Sequence, residues 1–341
     1  MTDEWDGPPK SYSDAYRLYP IATQFGPDVT FLGCPRAVLS DPETLAGADV
    51  VIVGAPFDGG ATYRSGTRFG PSAIRTTDYI SPVPYRPSLA LGVDPFTELS
   101  IVDAGDVMMP PGDIMKSLSA LEEAVAAIAE ADAFPLILGG DHSITYANVT
   151  GLAKVLGTGK VGVVHFDAHA DTGESNFGLL YGHGTPMRRL IESGAARGDR
   201  FLQIGLRGYW PEPPILDWMR EQGMRWYEMS EVVQRGLDTC LSEAFERAQD
   251  GTDGVFLSVD IDVVDPGMAP GTGTPEPGGL TSRQLLDAVR RCALELPLVG
   301  MDIVEVSPPY DGPGAVTAAL ANRVVLEALS GMAVRFRDGL D

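Results

Sequence analysis

Short apolar runs recur along the chain and alternate with segments of mixed polarity. Most of the runs are continuous and rich in β-branched residues, which is typical of strands buried on both faces of a parallel sheet. They lie at 49–54, 99–103, 134–138, 161–166, 201–205, 255–260 and 298–304, with a weaker run near 224–227. The pattern therefore predicts a strand at each of these positions.

Segments with a helical spacing of apolar positions separate several of these runs. The clearest are 114–131, 229–248 and 281–294, and Thr281 is a suitable N-cap for the last of them. Strands that alternate with helices predict an α/β fold, in which a parallel sheet carries helices on both sides.

The domain organisation follows from where this alternation begins. Residues 1–47 are rich in Pro, Asp and Tyr and show no clear period, so we interpret them as an N-terminal arm or cap. Residues 48–341 contain no linker, repeat or low-complexity segment, which favours a single domain.

Acidic and imidazole side chains stand where several predicted strands end. They are His142 after one strand, Asp167, His169 and Asp171 after the next, Asp260 and Asp262 on a third, and Glu305 on a fourth. Ligands of open α/β sheets bind at the carboxyl ends of the strands. Residues spaced i, i+2, i+4 in an extended chain also project to one side. We therefore expect these side chains to converge.

The set offers four carboxylates and two imidazoles, whereas one open metal site needs only three or four protein ligands. Six ligands suit two ions that share carboxylates. The absence of thiolates favours two Mn²⁺ ions, and Ni²⁺ is compatible with the same donors. An aspartate at a strand end can instead cap the next helix, but capping does not explain why all of these residues occur together. Two close ions activate water, so the pattern predicts a hydrolase.

The histidines are confined to one part of the chain, because all four lie between positions 142 and 183. We interpret His165 and Asp141 as residues that support the ligands. His183 stands between two glycines in a predicted loop, where it is either a proton shuttle or a surface histidine; we favour the shuttle. Glu305, in an otherwise largely apolar stretch, is interpreted as the acceptor of a cationic ligand rather than as part of a salt bridge.

Charge and cysteine content narrow the classes of partner. With 25 basic and 47 acidic residues, the net charge of −22 argues against nucleic-acid and anionic-membrane partners. The three cysteines are widely spaced, which fits a reducing cytoplasm better than a disulfide framework. The N-terminus lacks the features of a signal peptide, and no run is long enough for a membrane span.

Four motifs occur in order along the chain: GGDHS at 139–143, FDAHAD at 166–171, SVDIDVVDP at 258–266 and MDIVEV at 301–306. Together they make the chain similar to the ureohydrolase (arginase–agmatinase) family. The stretch APGTGTPEPGGL at 269–280 resembles agmatinases in particular. The resemblance implies a three-layer α/β/α fold with a mostly parallel eight-stranded sheet. It also implies a binuclear Mn²⁺ centre, cleavage of a guanidino compound to urea and an amine, and a homo-oligomer, either a trimer or a hexamer.

The resemblance also implies roles for individual residues. One ion would be held by His142, Asp167, Asp171 and Asp260. The other would be held by Asp167, His169, Asp260 and Asp262, so that two carboxylates are shared. Asp171 would in addition accept a hydrogen bond from the bridging hydroxide, Glu305 would receive the guanidinium, and His183 would be the proton shuttle.

The motifs agree on the reaction but favour different substrates. The polar groups with which arginases recognise an α-amino acid are missing after 166–171 and after Arg207, so arginine is not the expected substrate. The stretch 269–280 favours agmatine, whereas HGTPMRR at 183–189 resembles hydrolases of guanidino acids or of guanidine. The alternatives are thus 4-guanidinobutyrate, 3-guanidinopropionate and free guanidine. A metal-dependent deacetylase of related fold is a further alternative, although it would need only one metal.

Two loops, 172–189 and 207–214, are expected to contact the tail of the substrate. Their candidates are Glu174, Asn176, Tyr181, Arg188, Arg189, Arg207, Tyr209 and Trp210. A carboxylate tail would pair with an arginine and an amine tail with an acid such as Glu174. Tyr209 and Trp210 would either close the pocket over a short substrate or pack in a subunit contact.

Overall fold

The computed structural model describes residues 25–78 and 86–340, which contain one eight-stranded sheet. The strands are β1 (Val50–Ala55), β2 (Ile101–Asp106), β3 (Phe134–Gly139), β4 (Val161–Phe166), β5 (Ala196–Leu206), β6 (Arg225–Glu228), β7 (Gly254–Asp260) and β8 (Leu298–Val304). Their order in the sheet is β2-β1-β3-β8-β7-β4-β5-β6, and every pairing is parallel. The α/β class and the eight strands expected from the sequence are confirmed.

Helices connect the strands. They are α1 (Gly70–Thr76), α2 (Pro95–Glu98), α3 (Ile114–Glu130), α4 (Ile144–Leu156), α5 (Pro186–Ser193), α6 (Pro213–Glu221), α7 (Met229–Arg235), α8 (Leu237–Gln249), α9 (Ser282–Glu295) and α10 (Val316–Arg337). Thr281 caps α9 as predicted, in a capping box with Gln284. The prediction of a single helix over 229–248 is wrong. Gly236 has a φ of +86° and divides it into α7 and α8, because that backbone conformation is not helical.

Each face of the sheet is covered by its own apolar core. Successive residues of a strand point to opposite faces, so Val50 and Ile52 of β1 join one core while Val51 and Val53 join the other. Helices α8, α9 and α10 complete the first core and α3 and α4 the second. The chain therefore forms three layers, helix–sheet–helix, and its continuous apolar strands are buried on both sides.

The segment before β1 is described from residue 25 onward. It contains two short 3₁₀ helices, Phe31–Gly33 and Pro42–Thr44, and it buries Phe31 and Leu45 against the two cores. The first 24 residues of the predicted arm lie outside the described residues. None of the helices that the structure describes is long and apolar enough to cross a membrane.

The sheet order explains where the polar side chains meet. Strands β3, β8, β7 and β4 are consecutive neighbours, and all four run in the same direction. Their carboxyl ends therefore open onto one short stretch of the sheet edge, as the strand-end motifs predicted.

Candidate metal centre and active site

The imidazole of His142 stands at the centre of a carboxylate cluster. Its Nδ1 lies 3.1 Å from Asp167 Oδ2, 3.1 Å from Asp171 Oδ2 and 3.0 Å from Asp260 Oδ2. His142 follows β3, Asp167 and Asp171 follow β4, and Asp260 ends β7. All four side chains are buried. The structure thus brings together the residues that the resemblance assigned to one metal ion.

A buried chain of hydrogen bonds fixes the orientation of this imidazole. Ser258 Oγ donates to Asp302 Oδ1 at 2.8 Å, so it accepts from His142 Nε2 at 3.0 Å. Asp302 is held in turn by Thr145 Oγ1 at 2.7 Å and Asn148 Nδ2 at 2.9 Å. Because Nε2 carries the proton, the lone pair of the neutral ring is on Nδ1 and faces the cluster.

A second group of donors lies beside the first. His169 Nδ1 is 3.0 Å from Asp262 Oδ2 and 3.5 Å from Asp167 Oδ1. Asp167, His169 and Asp262 are close enough to hold one ion together. Asp167 belongs to both groups, which is the position expected of a shared ligand.

His165 supports this arrangement from behind. The Gln203 side-chain amide donates to His165 Nδ1 at 3.0 Å, which leaves Nε2–H to donate to Asp167 Oδ2 at 2.8 Å. Both ring nitrogens are therefore used, although His165, His142 and Asp167 are close enough to form a donor group. We interpret His165 as the residue that orients Asp167.

The electrostatics of the cluster show an excess of negative charge. Burial, together with repulsion from Asp262 and Asp167, raises the pKa of Asp260 well above its usual value. Burial lowers the pKa of His142, but its contacts with Asp167, Asp171 and Asp260 outweigh burial and hold that pKa well above the usual value. Bound cations are the groups that relieve such crowding of buried carboxylates.

The donor set fits a divalent cation. His142 Nδ1 is buried without a hydrogen-bond partner, although three carboxylate oxygens lie within 3.1 Å of it. A ring nitrogen that faces three carboxylate oxygens at that distance needs a positive charge between them, either a proton on Nδ1 or a bound cation. Nitrogen and oxygen donors without thiolate suit Mn²⁺ and Ni²⁺.

Glu305 and His183 lie beside the cluster. Glu305 Oε1 accepts from the His142 backbone N–H at 2.9 Å and pairs with His183 Nδ1 at 3.0 Å. Its other oxygen, Oε2, is buried without a partner. Both Glu305 and His183 line the cavity. Burial lowers the pKa of His183, but the carboxylate of Glu305 outweighs it and raises the pKa to about 9.

Two of these residues have an unusual backbone. Asp171 has a φ of +51° and Glu305 a φ of +61°, and residues other than glycine rarely adopt such backbone angles. Conformations of this kind cost on the order of 1–3 kcal/mol and persist where the surroundings enforce them, often at functional sites. Here they turn both carboxylates into the cavity.

The cavity has a volume of about 490 Å³ and opens to solvent beside the cluster. His169, Asp171, His183, Asp260 and Glu305 form its buried or half-buried floor. Two further acids, Glu174 and Glu212, line its exposed part. Within residues 25–78 and 86–340, the lining contains no lysine and no arginine.

Only some of the residues predicted to bind the substrate tail line this cavity. Asn176, Trp210 and Glu174 line it. Arg188 does not, because its guanidinium pairs with Glu192 at 2.9 Å and stacks 4.5 Å from the ring centre of Trp218.

The other candidates also lie outside the lining. Arg189 pairs with Glu192 at 2.9 Å, and Tyr181 packs edge-on against Tyr146. Tyr209 is fully exposed. Arg207 donates to the backbone carbonyls of Asp262 and Glu276, at 2.7 and 2.6 Å, and so secures the agmatinase-like stretch. The prediction that Arg188 and Tyr209 bind the substrate tail is therefore corrected, because neither side chain lines the cavity.

Residues 48–331 match the pattern of the Arginase family. The chain belongs to the arginase family. It is therefore a ureohydrolase that acts on amidino C–N bonds, which decides against the deacetylase alternative. The family depends on a binuclear metal centre.

Three relatives share about the same identity with the chain. Proclavaminate amidinohydrolase of Streptomyces clavuligerus is 40% identical over 309 residues, 91% of this chain and 94% of the relative. Guanidinobutyrase of Pseudomonas aeruginosa is 40% identical over 88% of this chain and 91% of its own length. The mitochondrial agmatinase of Gallus gallus is 40% identical over 87% and 84%. Because relatives with different substrates are equally similar, identity alone does not select the substrate.

Solved structures support the same assignment. The S. clavuligerus amidinohydrolase superposes with a TM-score of 0.80 at 39% identity, over 92% of this chain and 99% of that one. Formiminoglutamase of Trypanosoma cruzi, described with two Mn²⁺, has a TM-score of 0.75 at 26% identity, over 84% and 94%.

Several cavity residues were not found from the sequence. Thr62, Glu212 and Thr274 line the cavity, and Thr62 contacts His183 across 121 positions of the chain. Glu212 lies in the loop 207–214 that is predicted to contact the substrate tail, and its acidic side chain was the signal that could have identified it. Thr62 had no comparable signal, because it lies in a polar loop far from every strand-end motif.

Proposed function

We propose that this chain hydrolyses agmatine to putrescine and urea. The observation that carries the proposal is the charge of the cavity: its lining contains Asp171, Glu174, Glu212, Asp260 and Glu305, and no lysine or arginine from the described residues. A substrate with a positive charge at each end suits such a lining. A carboxylate tail would meet acids without a partner.

We further propose that the cluster holds two metal ions, Mn²⁺ by preference, with Ni²⁺ suited to the same donors. One would be held by His142, Asp167, Asp171 and Asp260. The other would be held by Asp167, His169, Asp260 and Asp262. When bound, the ions supply an activated water. The converging donors and the unpartnered Nδ1 of His142 support this assignment.

Glu305 is proposed to receive the guanidinium head. Its free Oε2 accepts hydrogen bonds from the planar cation, while the His142 N–H and His183 hold Oε1 in place. Water and R–NH–C(NH₂)₂⁺ give urea and R–NH₃⁺, so the leaving nitrogen gains two hydrogens. His183, bonded to Glu305, is placed to pass a proton to that nitrogen.

The tail of agmatine is proposed to extend toward Glu174 and Glu212. These acids are exposed, whereas the cluster and Glu305 are buried, so the cavity leads from a hydrolytic floor to an acidic rim. Trp210 and Ile215, which also line it, would cover the methylene chain.

A guanidino acid is the second candidate. The similarity to guanidinobutyrase, and to the guanidino acid hydrolase of Homo sapiens at 39% identity, favours it. The described lining argues against it, because no arginine faces the cavity. Free guanidine remains the third candidate.

A urea-release screen decides among these substrates. We expect the highest kcat/KM for agmatine and the lowest for arginine, with 4-guanidinobutyrate, 3-guanidinopropionate and guanidine between them. The double variant Glu174→Gln/Glu212→Gln should raise KM for agmatine, because each exposed charge contributes about 0.2–1 kcal/mol to binding of the cationic tail. The same variant should leave kcat for guanidine, which has no tail, unchanged.

Arg188→Ala is the matched control for the screen, since Arg188 lies outside the cavity lining. Its substrate ranking should equal that of the wild type. A guanidino acid at the top of the wild-type ranking would overturn the agmatine assignment, and a loss of that activity in Arg188→Ala would restore Arg188 as a tail-binding residue.

The hydrogen-bond chain behind His142 leads to a prediction about metal affinity. Ser258→Ala removes the acceptor of His142 Nε2–H. Supports of this kind typically change metal affinity by about 10–100-fold. Competition with a metal-binding dye should show this loss, while Ser242→Ala, an exposed serine on α8, should bind as the wild type does. Equal affinities in all three proteins would contradict the role of Ser258.

The trimer or hexamer and the cytoplasmic location expected from the sequence stay predictions. The loop beside the cavity exposes Phe177, Leu179 and Leu180, which is consistent with a subunit contact. Light scattering of the purified chain measures the oligomeric state.

A further inference from the structure

Thr62 contacts Nε2 of His183, the ring nitrogen that Glu305 does not engage. It stands in the loop between β1 and α1, with Oγ1 2.7 Å and the backbone N 3.1 Å from His183 Nε2. The residue is exposed and lines the cavity. His183 itself is buried, whereas Thr62, which contacts its Nε2, is exposed.

The loop that carries Thr62 is firmly held. Asp58 accepts the backbone N–H of Gly66 at 2.8 Å and the Nε–H of Arg68 at 2.6 Å. Gly60 donates to Asp141 Oδ2 at 2.7 Å and accepts the backbone N–H of His183 at 3.0 Å. The distance between Thr62 and His183 is thus fixed from both sides, and Asp141 acts here rather than as a metal ligand.

The two contacts of Thr62 differ in what they allow. The backbone N–H is only a donor, so it fits an Nε2 without a proton. The hydroxyl both donates and accepts, so it fits His183 with or without a proton on Nε2. Because Nδ1 is engaged by Glu305, a proton that enters or leaves the ring passes through Nε2.

We propose that the hydroxyl of Thr62 relays the proton between His183 Nε2 and the leaving nitrogen of the substrate. Thr62 Oγ1 takes the proton from Nε2 while its own proton passes to the nitrogen, so that His183 loses one proton, the amine gains one and the threonine is unchanged. The backbone N–H of Thr62 then stabilises the neutral ring. This inference rests on the proposed shuttle role of His183, whereas the identity of the substrate tail does not affect it.

Thr62→Val tests the relay, because valine keeps the shape and the backbone N–H but has no hydroxyl. We expect kcat to fall roughly 10–100-fold, part of the 10²–10⁴ that acid–base groups contribute, with KM little changed. Thr62→Ser should restore most of kcat. Thr76→Val, an exposed threonine on α1, should behave as the wild type does. The assay uses the compound of the panel with the highest kcat/KM, so the relay is judged separately from the substrate assignment.

A double-mutant cycle separates a relay from a structural role. In a His183→Ala background, Thr62→Val should cause little further loss, because the two residues act on one proton. Equal losses in both backgrounds would overturn the proposal, as would a wild-type kcat in Thr62→Val or a Thr62→Ser enzyme as slow as Thr62→Val. If the wild type prefers a compound other than agmatine, the agmatine assignment is wrong, but the same variants assayed with the preferred compound still test the relay.

Discussion

Asp260→Asn is expected to abolish most of the activity and to lose at least one metal ion. Asp260 lies 3.0 Å from His142 and is the proposed shared ligand at the end of β7. Metal catalysis contributes several kcal/mol to transition-state stabilisation, so kcat should fall by about 10³-fold or more. Elemental analysis gives the metal content, and urea release gives the rate.

Asp253→Asn is the control for this variant. Asp253 precedes β7 at the opposite end of the same strand, where it forms an exposed pair with Lys160 at 3.2 Å. Such pairs contribute little to stability. Full metal content together with full activity in Asp260→Asn would show that the metal assignment is wrong. Chelation should inactivate the wild type, and added Mn²⁺ should restore it.

His183→Ala is expected to lower kcat by roughly 10²–10⁴-fold while leaving the metal content unchanged. The ring pairs with Glu305 and Thr62, neither of which is a proposed metal ligand, so its loss should slow proton delivery rather than release metal. Because Glu305 keeps its bond to the His142 N–H, KM should change less than kcat. Near-wild-type kcat for the best substrate would contradict the shuttle.

The strand pattern and the strand-end motifs were sufficient for most of the fold and for the floor of the site. Short, β-branched apolar runs are typical of strands buried on both faces of a sheet, and parallel strands bring their carboxyl ends together. The break between α7 and α8 was not recognised, because the apolar spacing of 229–248 continues across Gly236 and only the backbone conformation interrupts it.

The rim of the site was harder to predict than its floor. Side chains such as Arg188 and Tyr209 occur in the correct loops, but a loop sequence does not say which way each side chain points. Arg188 contacts the carboxylate of Glu192 on the next turn of α5 and the indole of Trp218 on α6 instead of lining the cavity. Thr62 reaches His183 through a loop held by Asp58 and Asp141, and contacts of such long range leave no local pattern.

The acidic lining also bears on how the reaction ends. Urea is uncharged and leaves the cavity without resistance from the carboxylates, whereas the amine leaves as a cation from among Asp171, Glu174, Glu212 and Glu305. The same attraction that concentrates a cationic substrate near the site retains the cationic product. We therefore expect departure of the amine to be the slower of the two release steps, and free diamines to compete with the proposed substrate for the same carboxylates.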